Sequence, residues 1–486
     1  MTFADILARS VPSVHVDTSP QVLESHANDW SESPAGCASA IAFPADVEQV
    51  RGLVLAAARH GIPLVPSGGR TGLSGGAVAA SGEVVVSFDR MRRILDFNPV
   101  ERAVTVEAGV VTQQVQDFAR EQGLFYPVSF ASEGSSQVGG NIATNAGGIR
   151  VLRYGATRER VAGLKVVTGR GDVLDCNRGL VKNASGYDLR HLFVGSEGTL
   201  GLICEATLRL ADPPLPSRVM LLALPDMDGL MRVFAHLQGE LDLSAFEFFD
   251  DRSLQHVCRG QGLQAPFDDL YPLYVVTEFD CPDDERERHA LSAFEHGLGQ
   301  GWLGDGLISQ NERQARDLWR YREGISESIA PLGPYKNDLS VTISRVPDFL
   351  AALQDLLDDA YPDLEVLRYG HIGDGNVHLN ILRPEGMDPE AFKARCEEIS
   401  RQCYELTAGL GGSASAEHGI GLLKAPWLSS TRSEAEIVLL DTGPVQGTVE
   451  TSMVATLASG LATTSGFQME WVVSFEPSCG SSQIAA

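Results

Sequence analysis

The chain has 486 residues, of which 43% are hydrophobic and 21% charged, the composition of a globular protein with a full-sized core in two or three domains. A formal net charge of −26 argues against nucleic acid, whose phosphates need basic patches, and against an anionic membrane surface. No apolar run is long enough to span a membrane, and the opening MTFADILARSVPS lacks the basic start and apolar stretch of a signal peptide. The eight scattered cysteines, with no C-x-x-C pair, therefore read as reduced thiols in a cytoplasmic protein.

Residues 1–35 read as a lead-in with little periodicity. From Phe43 the pattern sharpens. Asp46 is placed to cap a helix carrying Val47, Val50, Val54 and Ala57 on one face, and Gly61 stops it. Ile62–Val65, Val84–Phe88 and Ala103–Glu107 read as short strands, and Val111–Gln122 as a helix with Val111, Val115 and Phe118 on one stripe. Residues 36–215 are expected to form one α+β domain, closed by a linker at Pro213, Pro214 and Pro216. Residues 216–395 form a second α+β region. Its helices fall at Asp226–Gln238, with Asp226 as cap, and at Gln314–Ala330. Its strands fall at Leu339–Ser344 and Val377–Leu382. Residues 396–440 read as mainly helical, and 441–486 as an atypical tail.

Three glycine-rich runs interrupt the first domain. Pro66–Gly76 lies between two expected strands; it has no Gly-Lys-Ser/Thr, so it is not a Walker loop, and no helix follows, so it is not a Rossmann fingerprint. Gly134–Gly148 and Gly195–Ile203 have the same character. Any one of them alone reads as a surface turn. Three in one domain, two with interleaved Asn, Thr and Ser donors, point to a nest of backbone N–H groups that cradles a nucleotide.

With Arg153-Tyr154-Gly155 and the Lys182–Asp188 motif, these runs resemble the FAD-linked oxidases of the vanillyl-alcohol oxidase and p-cresol methylhydroxylase type. Within that family the resemblance is to the branch of D-lactate dehydrogenases, glycolate oxidases and D-2-hydroxyglutarate dehydrogenases, over roughly residues 30–440. It implies a p-cresol methylhydroxylase-type FAD-binding domain, then an α+β substrate (cap) domain and a helical C-terminal region. FAD would meet Ser67, Gly68, Gly69, Arg70, Thr71, Gly72, Leu73 and Ser74 of the first run. From the second run and its sequel it would meet Gly134, Ser135, Gly139, Gly140, Asn141, Thr144, Asn145, Gly147 and Tyr154, and from the third Glu197, Gly198 and Ile203. Some relatives attach flavin to a histidine in the first run. Here Arg70 stands mid-loop, so non-covalent FAD is expected.

His371 and His378 stand seven residues apart, with Asp374-Gly375 able to turn the chain so that both rings face one point. Glu417 and His418 come later. A His–His–Glu set suits zinc with a fourth position open for substrate, which leaves His418 to take a proton; structural imidazoles are the competing reading. The resemblance implies metal ligands at His371, His378 and Glu417, the general base at His418, and substrate contacts at Arg322, Ser326 and Lys336. Asn380 is placed to bind a carboxylate. Ser326 stands where the family has threonine, a departure that keeps the hydroxyl. A solvated charged helix is the alternative for Arg322 and Ser326.

The expected chemistry is oxidation of a D-2-hydroxy acid, D-2-hydroxyglutarate foremost and D-lactate or glycolate as alternatives. An electron-transfer flavoprotein, a quinone or a cytochrome would take the electrons, and a homodimer is allowed. A metal hydrolase would leave the glycine runs unexplained. An inactive flavin binder is kept open by the tail: no Lys or Arg occurs in residues 433–486, where the chain average predicts about four, and the family's closing Asn-Pro-Gly-Lys segment is absent. The tail therefore reads as foreign to the fold, as a shifted reading frame would produce, with a genuine lineage-specific extension as the alternative.

Overall fold

Helices begin where their caps stand. The Asp46 carboxylate accepts the Gln49 N–H at 2.8 Å, opening the helix Val47–His60, which ends at Gly61 with φ of 63°. Asp226 accepts from the Gly229 N–H at 2.7 Å and opens Met227–Glu240. Asn311 does the same for Glu312–Ile329, the helix that carries Arg322 and Ser326. The computed structural model describes residues 1–31 and 35–441, and the expectation for the tail lies outside the described residues from 442 on.

The first domain holds two sheets. A four-stranded sheet runs in the order His15–Asp17, Ala40–Phe43, Val84–Ser87, Leu64–Ser67, its last three strands parallel. A five-stranded antiparallel sheet follows: Ile94–Asn98, Ala103–Glu107, Gly201–Arg209, Val161–Thr168, Val173–Cys176. Residues 1–31, expected as a lead-in, are part of this domain. A Thr2/Asp5 capping box opens the helix Phe3–Ser10, Leu7 and Val14 enter the core, and His15–Asp17 adds the sheet's edge strand. The strand expected at Ile62–Val65 starts at Leu64, because pairing with Val84 sets its first rung. The second glycine run also differs from the first, since it contains the helix Val138–Thr144.

The second domain is a seven-stranded antiparallel sheet covered on both faces. Its order is Asp305–Ile308, Ser217–Leu224, Leu273–Asp280, Leu243–Asp250, Glu365–Gly370, Asn376–Leu382, Tyr335–Ser340. Side chains alternate across a strand. Met220, Leu222 and Leu224 therefore meet the helices Met227–Glu240 and Asp284–Gly299, while Val219, Leu221 and Ala223 meet Asp251–Gln261 and Glu312–Ile329. The helix Pro389–Gly409 buries Phe392, Cys396, Ile399 and Cys403 against the first of these faces, so it belongs to this core and crosses the boundary expected at residue 395.

Alternation also aims the polar residues. Val377, Leu379 and Ile381 point into the core, which leaves His378 and Asn380 on the opposite face. Fully burying an aliphatic side chain stabilises by about 1.5–3 kcal/mol, so a one-residue slip that exposed three of them would be strongly disfavoured. The strand expected over Leu339–Ser344 runs instead over Tyr335–Ser340, and its register places Lys336 opposite Asn380 and Asp338 opposite His378. The domains dock through the short helix Val151–Tyr154. Leu152 packs against the sheet core, and Arg153 pairs with Asp280 at 2.7 Å.

Candidate active site

A cleft of about 920 Å³, partly open to solvent, lies between the glycine runs. Ser67, Gly68, Gly69, Arg70, Thr71, Gly72 and Ser74 line it from the first run, Gly139, Gly140, Asn141 and Thr144 from the second, and Glu197, Gly198 and Ile203 from the third. His418 reaches it from the other domain. Among the described residues, the backbone N–H groups of Arg70, Thr71 and Gly72 have no acceptor, as an anion-binding nest requires. Nothing lies within 4 Å of where a Cβ on Gly140 would stand, so glycine there keeps cleft volume free. These features fit a dinucleotide with a diphosphate, and no histidine stands in the first run to bind it covalently.

Six of the expected contacts stand off the cleft wall. Ser135 backs the first loop, since a Cβ on Gly69 would run into its carbonyl, and Gly134 and Leu73 flank the runs without facing the cleft. Asn145 holds its left-handed turn by accepting the Arg158 N–H at 3.0 Å. Gly147 faces the histidine cluster, 3.7 Å from Glu417 Oε2 at its would-be Cβ. Tyr154 packs on Phe125 in the docking helix. Sequence reading missed Asp29 and Ala108, and also Gln137, whose amide donates to Asp89 at 2.7 Å; none carries a motif signal.

The histidine cluster is gathered from strands, from the turn after Glu365–Gly370 that carries His371, and from the loop of Glu417 and His418. His371 Nε2, His378 Nε2 and His418 Nε2 lie 3.9, 3.7 and 3.5 Å from the Glu417 carboxylate. The tightest group of ligand-type atoms, all within 4.8 Å of one another, is Asp338, His378, Glu417 and His418. That grouping puts Asp338 and His418 where the sequence places His371. Asp338 is the poorer ligand, because its Oδ2 already accepts the N–H groups of Ala416, Glu417 and His418 at 3.2, 2.9 and 2.9 Å. It faces the Nδ1 atoms of both His378 and His418 at 3.6 Å. No sequence signal pointed to Asp338 or to Glu247, which is hydrogen-bonded to His371 Nδ1 at 2.8 Å and ion-paired with Arg322 Nη2 at 2.9 Å.

The cluster is rich in carboxylates. Glu247, Asp338 and Glu417 outnumber the fixed cations Arg322 and Lys424 around the cluster. Without a metal, protons fill part of the gap. Burial disfavours a charge on His371, but Glu247 outweighs it and raises its pKa to about 9. Burial and the charge on His371 lower His378 to about 3. Burial pushes the Asp338 and Glu417 carboxyls up, and the surrounding imidazoles overcome it and hold both low.

The cleft loops grip the Glu417–His418 loop. Ser74 Oγ donates to the carbonyls of His418 and Gly419 at 2.9 and 3.0 Å. Glu197 accepts the N–H groups of Ile420 and Gly421 at 3.0 and 3.1 Å. Burial pushes the Glu197 carboxyl up against these donors. Arg322 is buried over the Tyr369 ring at 4.9 Å, and Ser326 shares a hydrogen bond with the Tyr369 hydroxyl at 2.9 Å. Asn380 is buried with no partner for Oδ1, and Lys336 is exposed on the same sheet face.

Residues 38–177 match the family described as FAD binding domain, and residues 214–442 match FAD linked oxidases, C-terminal domain. The chain is 55% identical over 434 residues to the D-2-hydroxyglutarate dehydrogenase of Xanthomonas citri pv. viticola, covering 89% of this chain and 92% of the relative. It belongs to the FAD-linked oxidases. To the D-2-hydroxyglutarate dehydrogenase of Stutzerimonas stutzeri this oxidase is 50% identical, over 89% of its own length and 93% of the relative's. To the mitochondrial D-2-hydroxyglutarate dehydrogenase of Bos taurus it is 35% identical, over 89% and 79%. The 4-ethylphenol oxidase of Gulosibacter chungangensis shares the fold at 16% identity, with a TM-score of 0.71 over 90% of this chain and 94% of that one. The expected fold class, α+β with a p-cresol methylhydroxylase-type FAD-binding domain, is thus the observed one. Among the described residues no helix is long and apolar enough to cross a membrane.

Proposed function

We propose that this FAD-linked oxidase converts a D-2-hydroxy acid to the 2-oxo acid, with D-2-hydroxyglutarate as its substrate. The observation that carries this reading is the meeting of His371, His378, Glu417 and His418 beside a cleft that His418 itself lines. The named relatives support the choice of substrate. His371, His378 and Glu417 would hold a divalent metal, zinc by their donor types, and the three glycine runs would hold FAD non-covalently. When bound, FAD supplies a two-electron acceptor and the metal lowers the pKa of the substrate hydroxyl.

The chain's own residues do the rest. His418 Nε2 takes the hydroxyl proton, and Asp338 at 3.6 Å from Nδ1 stabilises the imidazolium that results. Asn380 and Lys336, opposite each other in adjacent strands, bind the carboxylate beside the reacting carbon. Arg322 and Ser326 receive the distal carboxylate that D-lactate lacks, and the buried Arg322 Nε with no partner offers it a donor. A flavoprotein, quinone or cytochrome acceptor completes the turnover. Six described cysteines, Cys37, Cys176, Cys204, Cys258, Cys281 and Cys403, are free thiols, which suits a reducing compartment such as the cytoplasm.

A panel of D- and L-2-hydroxy acids, assayed with an artificial electron acceptor before and after chelation, tests the proposal. D-2-hydroxyglutarate should be oxidised fastest. Chelation should abolish activity while the flavin stays bound, and zinc should restore it. Preference for an L-acid, or activity indifferent to chelation, would overturn the reading.

A further inference from the structure

Glu247 carries no motif signal, yet it sits at the centre of the site. On the strand Leu243–Asp250, Phe246 and Phe248 enter one core, so Glu247 projects from the other face. The pairing of that strand with Glu365–Gly370 brings His371 alongside it. Its side chain is 1% exposed, a costly place for a carboxylate unless both oxygens are compensated. The two oxygens are divided: Oε1 is hydrogen-bonded to His371 Nδ1 at 2.8 Å, whereas Oε2 has no hydrogen-bond partner and is compensated by charge, in an ion pair with Arg322 Nη2 at 2.9 Å. The same carboxylate therefore serves an imidazole whose Nε2 faces Glu417 and a guanidinium that is itself buried, with its Nε unpartnered.

We propose that Glu247 is a positioning residue that couples metal binding at His371 to substrate binding at Arg322. This rests on the ligand set and substrate role argued above. A metal on Nε2 makes the Nδ1–H group a stronger donor, which draws the carboxylate toward the imidazole. Arg322 is then less neutralised and more available to an anionic substrate. By reciprocity, a carboxylate bound at Arg322 releases Glu247 to His371 and tightens the metal. Two binding events that touch different atoms of the substrate thus share one buried charge.

Zinc affinity of the FAD-loaded protein, measured by chelator competition without substrate, provides the test. Glu247→Gln should weaken zinc by about 10- to 100-fold, the range for loss of a carboxylate behind a metal-binding histidine. Arg322→Ala should strengthen zinc several-fold, because Glu247 then serves His371 alone. In the Glu247→Gln background that gain should vanish. Unchanged flavin content and thermal midpoint identify variants that keep the fold. Glu247→Asp, which keeps the charge but is one methylene too short to span both partners, should likewise abolish the gain from Arg322→Ala. If Arg322→Ala strengthens zinc equally in both backgrounds, its charge acts directly on the metal and the proposal falls. It also falls if Glu247→Gln leaves zinc affinity unchanged while His371→Ala abolishes it. Zinc retained by His371→Ala would instead overturn the ligand set itself.

Discussion

The cleft of the first domain is built from backbone, whereas the cluster of the second is built from side chains. The cleft needs close approach, open N–H groups and missing Cβ atoms, so its signature is glycine in consecutive runs. The cluster needs six ionisable side chains, Glu247, Asp338, His371, His378, Glu417 and His418, from three strands, a turn and a remote loop, held by partners far away in sequence. The two are joined where Ser74 and Glu197 of the first domain hold the backbone of residues 418–421. Side chains at the cluster should therefore be individually decisive, while the cleft should tolerate any change that leaves its backbone path and volume alone.

The sharpest break between the regions is His378→Ala, which should strip the metal and reduce turnover to background while the flavin absorbance persists. Loss of both together would show that cleft and cluster are one cooperative unit. His418→Ala should keep metal and flavin yet slow flavin reduction by about 100-fold or more in rapid-mixing experiments, the scale of general base catalysis. Metal loss in that variant would instead assign His418 to the ligand set, as the tight grouping with Asp338 allows.

Smaller effects test the rim. Arg322→Ala should raise KM for D-2-hydroxyglutarate by about 10- to 100-fold, the worth of one charge-assisted hydrogen bond, and barely change it for D-lactate. Equal effects on both acids would move Arg322 to the carboxylate they share. Gly140→Leu projects a side chain into the cleft and should weaken FAD by about 10-fold, or 1.4 kcal/mol, by fluorescence titration, with zinc affinity untouched. The smallest change is expected from Glu197→Gln. One of the two N–H groups at Ile420 and Gly421 loses its acceptor, so kcat should fall a few-fold with KM and metal content steady. A fall in FAD affinity alone would make Glu197 a cofactor contact rather than a support for the base loop.

How much was legible follows from the same contrast. Asp46, Asp226 and Gly61 declare their helix ends locally, because a cap is a bond between residues three or four apart. Glycine runs declare a cleft for a similarly local reason. His371, His378, Glu417 and His418 could be named from their residue types and family pattern, and the structure brings them together. It also moved the strand expected at Leu339–Ser344 to Tyr335–Ser340, where Asn337 and Asp338 look unlike strand residues until their partners are known.

The sequence by itself determined the α+β class, the FAD-binding domain and the helix caps, since each depends on residue type and short-range spacing. Tertiary structure alone decided that Asp338 anchors the loop of Glu417 and His418, that Glu247 is shared between His371 and Arg322, and that Glu197 holds the loop after His418. The physical reason is sheet register. A buried carboxylate gains its partners from neighbouring strands and docked loops about forty to more than two hundred residues away, so its role does not exist until the sheet has chosen which rungs face each other and the loops have docked.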